Sequence, residues 1–286
     1  MKPFPIPVVP VGPGSQTDES PDYLAMPSGM NTFQAPRLPE ADTAADIGRA
    51  VEILEGLLAV MRVQPIDVPR PATAALDGES AGVREVLTQS LGFGEVSAFT
   101  LAPTRVRVQE TAFAALWRVL EEGEGEGGGI VADRLEASAV PMVLYAAMRA
   151  TSLPELAVPA LLPNMMNGEA LLAEVQLQCA RHQPGKPAHV INLTLLPVTD
   201  TDLDYLYGAL GHREVSILSR GYGNCRVTST RLANVWWVQY FNSMDTLILN
   251  TIEVVDMPEV VLAAAEDYAD SVKRLGEYIA MLKEDC

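Results

Sequence analysis

From residue 214 onward the chain alternates between apolar and polar side chains. Glu214–Ser219, Cys225–Thr230, Val235–Phe241 and Thr246–Val255 each put apolar residues at about every second position, the pattern of strands with a buried face. Gly221-Tyr222-Gly223-Asn224 separates the first two and Asn242-Ser243-Met244-Asp245 the last two, residue types that tolerate turn backbone. Trp236, Val238 and Tyr240 share one face of the third strand. Upstream, the pattern predicts a helix near 167–181 that ends before Pro184-Gly185, and a short apolar strand at His189–Leu195. A second helix opens at Thr199, an N-cap with Asp200 and Asp202 in the first turn, and ends near Leu210-Gly211. Beyond the strands, Val261, Ala264, Tyr268, Val272, Leu275, Ile279 and Leu282 recur at helical spacing. They predict an amphipathic helix lying on a sheet or on another part of the chain.

The same pattern is written earlier. At an offset of 119, Leu87, Leu91, Gly92, Glu95, Val96, Ser97, Arg107, Val108, Thr111, Ala114, Trp117 and Val119 fall on identical residues from Leu206 to Val238. Glu55, Leu58, Arg62, Gln64 and Pro65 likewise fall on Glu174, Leu177, Arg181, Gln183 and Pro184. Past the run Glu121-Glu122-Gly123-Glu124-Gly125-Glu126-Gly127-Gly128-Gly129 the offset slips to 117, so that Glu136 meets Glu253 and Pro141 meets Pro258. A hairpin tip is where such a slip is tolerated. Self-similarity at a fixed period sets the architecture. The expected fold is α+β, a tandem duplication of a helix–helix–four-strand antiparallel sheet–helix unit behind a Pro-rich tail. The expected boundaries are tail 1–42, first repeat 43–151, and second repeat with the C-terminal helix 152–286. Prolines at 3, 5, 7, 10, 13, 21, 27 and 36 give the tail its character.

Composition narrows the partners. The chain has 286 residues and a formal charge of −17, a field that repels nucleic acid and anionic membrane surfaces. The three cysteines, Cys179, Cys225 and Cys286, are far apart in sequence and form no disulfide framework. No apolar stretch reaches the ~18 residues of a membrane span, and Met1-Lys2-Pro3-Phe4-Pro5 lacks a signal-peptide core. The expectation is a cytoplasmic, soluble protein.

Candidate chemistry is sparse. His182, His189 and His212 lack the convergent partners of a zinc site, so the plainer reading is surface or turn histidines. No nucleophile elbow, H-E-x-x-H or phosphate-loop motif occurs. The Gly-rich run at 121–129 carries glutamates and no lysine, and so repels phosphate. Glu95/Glu214, Glu136/Glu253 and Arg107/Arg226 recur in both copies. Acid–base chemistry is one use of such carboxylates, but cross-strand pairing explains recurrence more simply. Cys225, beside a tip where the copies diverge, is either a reactive or iron-contacting thiol or a small strand hydrophobe. Trp237 points opposite to Trp236, where copy one has Arg118. It is either an exposed interaction anchor or buried under a helix. The candidate partner-contact residues are therefore Gly221, Tyr222, Gly223, Asn224, Cys225 and Trp237. No catalytic, cofactor-binding or metal-binding residue is assigned.

Several of these segments resemble the HupH/HyaF family of accessory proteins for uptake nickel–iron hydrogenases. The carriers are Gly221-Tyr222-Gly223-Asn224-Cys225-Arg226, Asn234-Val235-Trp236-Trp237-Val238 and Thr251-Ile252-Glu253-Val254-Val255 with Pro258-Glu259-Val260-Val261. Gly12-Pro13-Gly14-Ser15-Gln16, Met166-Asn167-Gly168 and Ile191-Asn192-Leu193-Thr194 add to the likeness. The resemblance implies a non-enzymatic, chaperone-like role in hydrogenase maturation. The expected partners are the small-subunit precursor and other maturation factors, with no nucleic acid and no membrane. The iron–sulfur cluster is expected on the client and no cofactor on this chain. The family offers no catalytic residues to carry over. Two alternatives stay open: an iron–sulfur or metal carrier using Cys225, and an enzyme built on the duplicated carboxylates.

Overall fold

Two matched helices show how local sequence sets the frame. Ser80 caps one by accepting the Val83 N–H at 3.0 Å. Thr199 caps the other in a reciprocal box, accepting the Asp202 N–H at 3.2 Å while the Asp202 carboxylate accepts the Thr199 N–H at 2.9 Å. Both helices stop at a glycine in left-handed backbone, Gly92 at φ 59° and Gly211 at φ 60°. At Gly92 a Cβ would lie 2.2 Å from the Gln34 carbonyl oxygen, so only glycine lets the segment before the first helix pass.

The computed structural model describes residues 33–39, 44–123, 129–153, 156–221 and 223–284. The predicted tail 1–42 and the Gly-rich run lie largely or partly outside them. The elements run α1 (Ala44–Met61), β1 (Ala72–Ala75), α2 (Ala81–Leu91), β2 (Val96–Thr100), β3 (Arg105–Glu110), β4 (Leu116–Glu122), β5 (Ile130–Ala137) and α3 (Met142–Thr151). They continue α4 (Gly168–Arg181), β6 (His189–Asn192), α5 (Asp200–Leu210), β7 (Val215–Ser219), β8 (Asn224–Ser229), β9 (Val235–Phe241), β10 (Leu247–Val254), a 3-10 turn (Glu259–Val261) and α6 (Ala265–Glu284).

The chain is α+β, and all ten strands form one antiparallel sheet in the order β1-β5-β4-β3-β2-β7-β8-β9-β10-β6. This differs from the expectation of a four-strand sheet in each unit. The short β1 and β6 join their hairpins as edge strands, pairing β5 and β10. The two sets of strands then meet edge to edge, with Val96 opposite Ser219, Ala98 opposite Ile217 and Thr100 opposite Val215. Pairing the inner edges leaves only short strands as exposed edges.

The sheet carries a core on each face. On one face α1, α2 and α6 cover the β1–β5 side around Leu54, Leu87, Leu116 and Leu135, and α4 and α5 cover the β6–β10 side around Val175, Leu206 and Ile252. On the other face α3 and the 3-10 turn enclose Trp117, Val119, Trp236 and Val238 in one cluster spanning both sides. After the strands the sides differ. Pro141 leads into the α3 helix, whereas Pro258 leads only into a 3-10 turn, from which the chain goes on to α6. The predicted C-terminal stripe forms a helix lying on α1 only from Tyr268 onward, since Val261 sits in the 3-10 turn within the core of the opposite face and Ala264 is exposed before α6. Tyr268, Leu275, Ile279 and Leu282 are buried there, and the Tyr268 hydroxyl donates to the Met61 carbonyl at 3.1 Å.

Candidate functional site

The β7–β8 tip is built by contact with the other side of the sheet. The Arg220 N–H donates to the Glu95 carbonyl at 3.1 Å. At the matched place the Leu101 N–H donates to the Glu214 carbonyl, also at 3.1 Å. Glu95 and Glu214 thus mark the two positions where each hairpin tip is tied to its neighbour. The Glu95 carboxylate fills the space over Gly221, where a Cβ would lie 2.5 Å from Oε2. Asn224 donates to Asp245 at 3.4 Å. That bond links the tip to the turn in which Asn242 Oδ1 accepts the Met244 and Thr246 N–H groups, both at 2.9 Å.

The predicted contact residues therefore divide. Gly221 and Gly223 are exposed and Asn224 half-buried. Tyr222 lies outside the described residues. Cys225 and Trp237 are core residues, 1% and 0% exposed. Trp237 is buried because α5 closes the face opposite Trp236, and Tyr207 of α5 stacks on its ring at 4.4 Å between centroids. Burial drives the Cys225 thiol up to about 12, and Tyr240 bonded to it only partly offsets this. A thiol so held stays protonated at neutral pH.

The recurring acids are tied into the fold. Glu95 is exposed at the start of β2 and Glu214 half-buried before β7. Glu136 stands opposite Trp117 and Glu253 opposite Trp236. Both indoles donate to matched carbonyls, Ser138 at 2.8 Å and Val255 at 3.1 Å. Glu136 accepts the Met142 N–H at the start of α3, at 2.8 Å. Arg107 pairs with Glu122 at 2.6 Å, whereas Arg226 lies 4.6 Å over the Phe241 ring. The histidines are likewise engaged: His182 with Asp256 at 2.9 Å, and His189 with Glu174 at 2.8 Å. Burial pulls the His212 pKa down, so its ring stays neutral.

Two groups escape a reading of the sequence. Glu110 is buried, and that burial lifts its carboxyl to about 7 against the backbone N–H groups of Ala115, Val96 and Glu95 that bond it. At the matched position, Ser229 accepts the Val215 N–H at 3.2 Å. The exchange of Ser for Glu inside a repeated segment was the available signal. The second group is a cleft of about 340 Å³ between α2 and the sheet. At its base Arg118 makes a bidentate pair with Asp133 at 3.0 and 2.8 Å and also donates to Thr88. On the other side of the sheet Trp237, Asn250 and Tyr207 hold those places: Tyr207 stacks on Trp237, and Gln239 donates to the Tyr207 hydroxyl at 3.1 Å and to Asn250 at 3.4 Å. Among the described residues no three or more His, Cys, Asp or Glu converge as a metal site, and no helix is long and apolar enough to cross a membrane.

Comparison with known proteins now adds an independent line. Residues 79–152 and 165–282 match the family model described as HupH hydrogenase expression protein, C-terminal conserved region. The chain is 44% identical over 283 residues to the hydrogenase expression/formation protein HoxQ of Cupriavidus necator, with 98% of each covered. It is 30% identical over 278 residues to the hydrogenase-1 operon protein HyaF of Escherichia coli, with 96% of each covered. A solved structure, hydrogenase expression protein HupH from Thiobacillus denitrificans, aligns at a TM-score of 0.38 and 30% identity, over 40% of this chain and 95% of that one. The chain belongs to the HupH family of hydrogenase expression proteins.

Proposed function

We propose that the chain is a non-catalytic accessory protein of nickel–iron hydrogenase maturation. It acts in the cytoplasm by binding the immature iron–sulfur small subunit, or another assembly factor, in a chaperone-like way. The observation that carries this reading is full-length similarity to proteins named for hydrogenase expression and formation. The use of recurring charged groups within the fold supports it: Glu136 accepts from the start of α3, Glu136 and Glu253 stand opposite indoles, and Arg107 pairs with Glu122. The cluster the pathway handles then sits on the client. The burial and raised thiol of Cys225 give no support to an iron–sulfur carrier built on that residue.

We further propose that residues 43–151 and 152–286 are copies of one unit. The strand order reads the same from either edge, and the β2–β7 register maps onto itself at the offset of 119. The contact surface includes the Gly221–Asn224 tip beside Met244, which is 80% exposed. Co-purification tests the reading. A tagged chain from cells assembling hydrogenase is expected to bring down the small-subunit precursor, and to lose it in cells lacking the hydrogenase structural genes. Recovery of the chain alone from assembling cells would sink the proposal.

A further inference from the structure

We infer that α4 is a vacant helix seat, and that its occupant is a basic amphipathic helix of the protein that this chain binds. The inference deepens the binding-protein reading and rests on it. It starts from how α1 holds α6. Glu55 pairs with Lys283 of α6 at 2.6 Å. Leu58 and Arg62 lie against Gly276, where a Cβ would stand 3.5 and 3.0 Å from their side chains. Under that helix Leu58 is 4% exposed.

Moving 119 residues along, the three contact residues recur unchanged as Glu174, Leu177 and Arg181 on α4. Among the described residues no helix lies over them. Leu177 is 46% exposed, and Ala170, Ala173 and Ala180 along the same stripe are exposed. The matched residues of α1, Val51, Leu54 and Met61, are buried. The difference lies after the strands, where the chain supplies one long helix and lays it on α1.

Charge chooses among occupants. Leaving out the buried Asp202, helices α4 and α5 carry a net three negative charges, from Glu169, Glu174, Asp200 and Asp204 against Arg181. A second copy's α6 is net acidic and already seated. The sequence before Phe33 carries seven prolines, a composition that does not match a helical occupant. A foreign helix with an apolar stripe, a small residue over Leu177 and a lysine reaching the exposed side of Glu174, which His189 meets from within the chain at 2.8 Å, fits both shape and field.

The probe is a 20-residue peptide of the α6 sequence with Glu266→Lys, Asp267→Lys, Asp270→Lys, Glu277→Lys and Glu284→Lys, alongside a scrambled peptide of the same composition. The α6 peptide is expected to bind the full chain and to protect 168–181 from hydrogen exchange. Affinity should fall at least tenfold in Leu177→Asp and in Ala173→Glu, both exposed positions that leave the core intact. Equal binding by the scrambled peptide, protection of α1 instead, a dimer lost in Ala173→Glu, or unchanged affinity in both variants would overturn the seat. Co-purification separates the two readings. If wild type and Ala173→Glu capture the hydrogenase subunit equally, the seat fails and the binding role stands. If wild type captures none, the role fails, and the peptide result alone decides the seat.

Discussion

At the scale of residues, burial alone does not decide the state of an acid; the donors that meet it do. Asp202 and Glu110 are both buried. At Asp202 burial pushes the pKa up, but donors from Thr199, Gly168 and Met166 outweigh it and hold the carboxyl at about 2. One oxygen accepts the N–H groups of Met166, Asn167 and Gly168 at 2.8, 2.9 and 2.7 Å, so this acid ties the start of α4 to α5. A depressed acid stabilises the fold above its unfolded pKa of ~4, and that stability drains as pH falls towards about 2. Asp202→Asn turns an amide donor towards the Thr199 N–H and should cost about 1–3 kcal/mol at pH 7, read by urea unfolding. A loss under ~0.5 kcal/mol would show that the carboxylate is dispensable. Glu110 has the opposite sign. Its folded pKa is raised to about 7, so its contribution is complete below the unfolded value of ~4.5 and is lost as pH rises through 7. The stability difference between wild type and Glu110→Gln should therefore shift against wild type across that window. A difference flat from pH 4.5 to 7.5 would refute the raised value.

At the scale of elements, what the sequence shows depends on whether a signal is local. The cap at Thr199, the stop at Gly211 and the alternation of β9 were all readable, because each is set within a few residues. The stripe Tyr268–Leu282 was readable as a helix, but not its landing place, since periodicity reports one face and not what covers it. Trp237 shows the same limit. Alternation put it opposite Trp236, and only the position of α5 decides that this second face is also core. A leucine sealed between α6 and α1 and one on the uncovered face of α4 should respond unequally. Leu275→Ala empties space between α6 and α1 and should cost about 2–5 kcal/mol, whereas half-exposed Leu177→Ala should cost well under 1 kcal/mol. Denaturant midpoints for the two variants check this. Comparable losses would mean that α4 is covered by something else in solution.

At the scale of the molecule, the self-similarity of the sequence at an offset of 119 was legible, but the joining of the two sets of strands was not, because β2 and β7 alternate like any half-buried strand and nothing in either names the other as its neighbour. Three features nevertheless tie the two sides together. The β2–β7 ladder continues the hydrogen bonding without a break, and the cluster containing Trp117 and Trp236 belongs to both sides. The helix α6 adds a third tie, because it follows the last strand in sequence and buries itself on α1. A chain of 286 residues is long enough to unfold in steps if its parts had separate cores. Here, opening one side exposes the apolar surface of the other, so the partly unfolded state gains little. Calorimetry should give one transition with equal van't Hoff and calorimetric enthalpies, and Trp117→Phe and Trp236→Phe should each move that whole transition downward. Two separable transitions, each shifted by only one of the substitutions, would show that the shared ladder and the crossing helix do not couple the halves.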